Sequence, residues 1–163
     1  MSGERLRMEF ERGGVLVADV LSNEAPQTIA AVLSALPIET TAYHTRWCGR
    51  EVYFPVALGR SGPPRENDTS TVNVGDVIYW REWEKTEGAS EALSVYYGAE
   101  VVRDHRGFLP VNVFARVPQD QWPRIAEIGV RIWQHGVEGI RVTRIDKDDE
   151  SPCADRIAKE RKR

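Results

Sequence analysis

A chain of 163 residues with 41% hydrophobic and 29% charged side chains has room for one core and the balance of a globular domain, which excludes a disordered chain. No apolar run approaches the roughly 20 residues that cross a bilayer, and a net charge of −3 supplies no general attraction to phosphate backbones or anionic lipid. Two cysteines, Cys48 and Cys153, are too few for a disulfide framework, and Met1 to Arg5 leads into an alternating segment without the apolar stretch of a secretory signal. The expectation is a cytoplasmic protein that binds neither nucleic acid nor membrane.

Arg5–Phe10 and Val15–Leu21 read as a hairpin turned at Gly13-Gly14, with Leu6, Met8 and Phe10 on its buried face. A helix follows, capped by Ser22 or Asn23, with Pro26 in its first turn and Ile29, Val32, Leu33 and Leu36 as its apolar stripe; Pro37 ends it. Ile38–Pro55 returns to period two and reads as a second hairpin centred on Cys48-Gly49. Gly59–Ser70, dense in glycine, proline, serine and charge, reads as a long loop. Strands are expected at Val74–Trp80, Ala92–Tyr97 and Val111–Val117, with loops at Arg81–Ser90 and Gly98–Pro110 between them. Trp122, Ile125, Ile128, Ile132 and Trp133 recur at helical spacing, Pro123 fits in the first turn, and Gly136 is placed to stop that helix. Val137–Ile145 is the last expected strand. Residues 1–145 form a single expected domain, and 146–163, acidic then basic, an expected mobile tail or short peripheral helix.

About eight short strands with two helices favour a mainly β architecture, a closed barrel capped by the helices, over a doubly wound sheet. Three stretches then carry a resemblance: Thr45-Arg46-Trp47-Cys48-Gly49-Arg50-Glu51-Val52-Tyr53-Phe54, Val74-Gly75-Asp76-Val77-Ile78-Tyr79-Trp80, and Pro110-Val111-Asn112-Val113-Phe114-Ala115. In this order they resemble the cyclophilin-like barrels of an uncharacterised prokaryotic family, over residues 5 to 145. The resemblance implies an eight-stranded barrel closed by two helices and no established activity. Cyclophilins proper isomerise X-Pro bonds with an Arg that follows a Phe-His pair. Tyr43-His44-Thr45-Arg46-Trp47 keeps a His and an Arg without that order, and no equivalent of the cyclophilin Gln motif is present.

A two-residue turn at Cys48-Gly49 would set Arg46 opposite Glu51, His44 opposite Tyr53 and Tyr43 opposite Phe54. His44, Arg46, Glu51 and Tyr53 would then share one face, with Tyr43, Val52 and Phe54 on the other. An imidazole, a guanidinium and a carboxylate on one face suit a small polar ligand or an acid–base step, and the guanidinium fork suits a carboxylate or phosphate. The plainer alternative is a surface ion pair between Arg46 and Glu51. Cys48, beside Trp47, is either a nucleophile activated by His44, Arg46 or Arg50, or a small partly buried filler. His44, Arg46, Cys48 and Glu51 are thus the catalytic candidates.

Trp47, Tyr53, Tyr79, Tyr96 and Asn112 join His44, Arg46 and Glu51 as ligand-binding candidates. Alternation sends one of Tyr79 and Trp80, and one of Tyr96 and Tyr97, into the barrel and the other out. The outward rings would mark a ligand groove or a subunit contact, hence an expected homo-oligomer. Asn112 among apolar neighbours is a structural tie or a ligand contact. His44, His105 and His135 lack metal-ligand spacing, and no glycine-rich turn leads from a strand into a helix as a phosphate loop would, so no metal or cofactor is expected. The function expected is a barrel that binds, and in one version transforms, a small anionic or amide-containing metabolite around His44 and Arg46. The rivals are a peptidyl-prolyl isomerase and a non-catalytic subunit or scaffold.

Overall fold

The structure, a computed structural model, describes residues 4–145; the tail expected over 146–163 lies outside the described residues. In chain order the elements are β1 (Arg5–Phe10), β2 (Val15–Val20), α1 (Pro26–Ala35), β3 (Ile38–His44), β4 (Glu51–Pro55), β5 (Asp68–Thr69), β6 (Thr71–Val72), β7 (Asp76–Arg81), β8 (Glu91–Tyr96), β9 (Glu100–Val101), β10 (Arg103–Asp104), β11 (Gly107–Phe108), β12 (Val111–Arg116), α2 (Trp122–His135) and β13 (Glu138–Ile145). Eight strands run antiparallel in the order β2-β1-β13-β3-β4-β8-β7-β12, and pairing of β12 with β2 closes the barrel. Closure leaves no strand of this ring with an open edge.

The alternation read in the first hairpin sends Leu6, Met8 and Phe10 of β1, and Leu16, Ala18 and Val20 of β2, into the barrel. Val52, Phe54, Val77, Tyr79, Leu93, Val95 and Phe114 fill it from the far side. Ile29 and Val32 of α1, with Ile125, Ile128 and Ile132 of α2, pack into the same cluster. Gly136, at φ +88°, stops α2 with its N–H on the Ile132 carbonyl.

Three expectations are corrected. The residue preceding α1 is Ala25, not Ser22 or Asn23, and it makes no side-chain cap; the Glu66 carboxylate accepts the Thr28 N–H in its place. That cap comes from the long loop, so no local motif announces it. The 98–110 stretch is not plain loop: β9 pairs with β6, and β10 with β11. Finally, β3 and β4 are joined by the six residues 45–50 rather than by a two-residue turn.

The 98–110 stretch lies against the outside of the barrel. Val102, with Val72 and Cys48, forms a second apolar cluster with Ile78, Tyr96, Val111 and Val113. These last four are the residues whose neighbours point inward, so β8 is covered on both faces and all six of its residues are buried.

Candidate functional site

The register across β3 and β4 is Tyr43 opposite Tyr53 and His44 opposite Val52, one residue away from the expected pairing. Gly49, at φ +67°, lets the 45–50 loop double back, and the Glu51 N–H bonds to the Gly49 carbonyl at 3.1 Å. A one-residue slip exchanges the faces. Glu51 and Tyr53 therefore stand outside the barrel with Tyr43, whose ring stacks on Tyr53 at 5.3 Å. His44 shares its face with Val52 and Phe54 instead, and Arg46 belongs to the loop. The expected four-membered polar face does not form as such.

Much of the set nevertheless converges by another route. A cleft of about 1170 Å³ runs along the outer face, and His44, Arg46, Trp47, Cys48, Glu51 and Tyr53 all line it. Ile78, Glu51 and Ser94, buried and on adjacent strands, form its floor. Tyr43, Tyr53, Trp80 and Trp133 supply aromatic wall, and Arg46, Trp47 and Arg103 the exposed rim.

Glu51 is only 6% exposed. Burial holds its carboxyl above the ordinary carboxylate range; the polar side chains of Ser94, Cys48, Tyr96 and Thr45 around it oppose that shift without cancelling it. The Tyr96 hydroxyl, buried beneath, makes no hydrogen bond of good geometry, although Glu51 and Cys48 lie beside it. The Arg46–Glu51 ion pair is absent: Glu51 is inside, Arg46 is exposed, and among the described residues Arg46 makes no ion pair.

Cys48 staples the loop to β10. Its Sγ donates to the Arg103 carbonyl at 2.9 Å and accepts the Arg103 N–H at 3.3 Å, while Arg103 Nε donates to the Trp47 carbonyl at 3.0 Å. Burial first, then the charge of Glu51, push the thiol up to about 11, so it is protonated at neutral pH. His44 is fixed from both sides. Nδ1 lies 2.9 Å from the Thr45 carbonyl, an acceptor, so it carries the proton, and Nε2 accepts the Tyr97 hydroxyl at 2.6 Å.

Three expected ligand contacts lie elsewhere. Tyr79 is inside the barrel, its hydroxyl donating to Glu91 at 2.6 Å. Tyr96 lies under the cleft floor rather than on it. Asn112 is a structural tie: Nδ2 donates to the Thr28 hydroxyl and the Pro64 carbonyl, and Oδ1 accepts the Glu66 N–H. Trp80, the outward ring of its pair, lines the cleft, and Ser94, Trp133 and Arg103 line it as well, none of the three being an expected ligand contact. A serine inside the apolar run Ala92-Leu93-Ser94-Val95 was the available signal for one of them. Among the described residues no three of His, Cys, Asp and Glu gather as a metal would require.

Closed barrel, antiparallel ring and outer-face cleft define a cyclophilin-like barrel. The chain belongs to the family described as "Protein of unknown function (DUF3830)", whose model matches residues 10–144. Three solved structures share the fold. McbB, solved in complex with tryptophan, is 19% identical at a TM-score of 0.64 over 84% of this chain. This chain spans 43% of McbB's length. The hypothetical protein AF2241 from Archaeoglobus fulgidus is 25% identical, with a TM-score of 0.57 over 88% of this chain and 95% of its own. The Mimivirus cyclophilin is 8% identical, with a TM-score of 0.55 over 93% and 94%. No curated protein matches the sequence.

Proposed function

We propose that the outer-face cleft binds a small metabolite carrying an anionic or amide group, with Arg46 as its charged anchor and Glu51 as the polar group at its floor. One observation carries the reading: a cleft of about 1170 Å³ has a buried carboxyl at its base and, at its rim, a guanidinium that makes no ion pair among the described residues. An aromatic-walled concavity with a few converging polar groups is the form small-molecule sites take. In this reading α1 and α2 cap the barrel ends and their isoleucines keep its interior filled, so recognition falls to the outside of the sheet. His44, held between the Thr45 carbonyl and the Tyr97 hydroxyl, positions the loop that carries Arg46.

The test is a thermal-shift screen of the purified protein against a metabolite library, with Arg46→Ala alongside. A ligand that stabilises the wild type and not the variant supports the site, since stabilisation follows binding to the folded state. Ligands that shift both proteins equally would place binding elsewhere. Turnover of a proline peptide that depends on Arg46 would favour isomerisation instead.

A further inference from the structure

Four acidic side chains among the described residues are buried: Glu51, Asp76, Glu91 and Glu138. Three have a guanidinium of their own. Arg116 Nε lies 3.0 Å from Asp76, Arg81 Nη1 3.0 Å from Glu91, and Arg131 Nη2 2.8 Å from Glu138. Glu51 differs. The groups that reach it are hydroxyls and a thiol, from Ser94, Cys48, Tyr96 and Thr45, and no cation is among them. Glu91 also borders the cleft but is paired with Arg81, so Glu51 is the one of the four that lines the cleft without a guanidinium, with Tyr53 on the same strand and Trp80 across the floor.

A buried carboxylate calls for a positive charge, and aromatic faces add attraction for a cation held against them. Arg46, which makes no ion pair among the described residues, makes the opposite demand at the rim. We propose that the ligand of this cleft is amphoteric: a small molecule with a protonated amine that seats on Glu51, an apolar or aromatic body against Tyr53 and Trp80, and an acid group that meets Arg46. The proposal rests on the cleft reading above and adds the cationic end.

Binding has a proton cost that follows from the same geometry. In the unliganded protein burial favours the protonated acid at Glu51. When an ammonium group arrives, the carboxyl releases its proton to solvent and stays ionised opposite the new charge. The ligand keeps its own proton. Binding of the amine end thus becomes easier as pH rises, until the amine itself loses its charge.

Matched probe sets test this on the full chain by calorimetric titration: phenylpropionate, phenylethylamine and phenylalanine, with the indolyl counterparts of each. The expected result is that the amino acids bind at least ~10-fold more tightly than the acid-only members. Glu51→Gln should remove that advantage, so that amino acids and acid-only members bind with similar affinity, and Arg46→Ala should weaken the acid-bearing members more than the amine-only ones. Thermal unfolding of Glu51→Gln checks that the variant is folded. Titration of wild type in two buffers of different ionisation enthalpy should show proton release for the amine-bearing members alone. Acid-only members that bind as tightly as the amino acids, or an amine preference that survives Glu51→Gln, would overturn the amphoteric ligand while leaving the cleft reading in place. Binding by no member overturns it too, and the library screen with Arg46→Ala then decides the cleft reading separately.

Discussion

At the scale of single residues, the outer face of β4 is governed by one acid placed where acids are costly. Glu51 gains its enclosure from the Cys48 staple and the 98–110 stretch, and burial lifts its carboxyl above the ordinary range. For an acid whose folded-state affinity for protons exceeds that of the unfolded chain, stability is fully present below the ordinary carboxylate range. It is lost as pH rises through the raised folded value. Glu51→Gln keeps the shape and removes the ionisation. The variant should match the wild type in urea unfolding at about pH 4 and exceed it at about pH 8, with the gap opening across the interval between. A constant gap would mean that Glu51 does not titrate differently in the two states. Little of this was legible beforehand. The sequence marks Glu51 as one of four polar residues of a hairpin, but its burial depends on contacts 50 residues away, of the kind Arg50 makes with Glu100. Period-two alternation located the strand, and the six-residue loop altered its phase.

Elements show the converse. The first hairpin and α2 follow from periodicity, because each has an apolar face wide enough to dominate its own packing. β9, β10 and β11, two residues each, have no periodicity to display and exist only through their partners. α2 also docks through a feature the pattern contains but does not explain. Gly129 lies where an added Cβ would come within 2.3 Å of the Tyr97 ring, and Tyr97 in turn bonds His44. Gly129→Ala improves helix propensity by up to about 1 kcal/mol, against an overpacking cost of about 1–3 kcal/mol. Net destabilisation of about 1 kcal/mol is expected in denaturant unfolding. Displacement of Tyr97 should also break its bond to His44, visible as a changed Nε2 resonance. A variant as stable as wild type with an unaltered imidazole would show that the helix can retreat instead.

At the scale of the whole molecule, the barrel must satisfy polar groups wherever it stops being apolar, and its ends are where this is hardest. Near the end of β7 and β8 the interior carries Tyr79, Arg81 and Glu91 together. Glu91 accepts the Tyr79 hydroxyl at 2.6 Å, pairs with Arg81 at 3.0 Å and takes the Leu58 N–H at 3.1 Å; Arg81 also donates to the Arg60 carbonyl at 2.9 Å. The network fastens the start of the long 56–67 loop over the barrel mouth, and the same loop supplies Glu66 to the start of α1. An ion pair buried this deeply contributes little net stability relative to an apolar pair, yet removal of one member leaves a charge without a partner. Arg81→Met should therefore cost about 3–5 kcal/mol. Adding Glu91→Gln, which removes the orphaned charge and can still accept the Leu58 N–H, should recover a substantial part of that loss. Chemical denaturation of the single and double variants reads both effects. If Arg81→Met costs less than about 1 kcal/mol, or the second substitution deepens the loss, then solvent reaches this end of the barrel and the network is a surface feature.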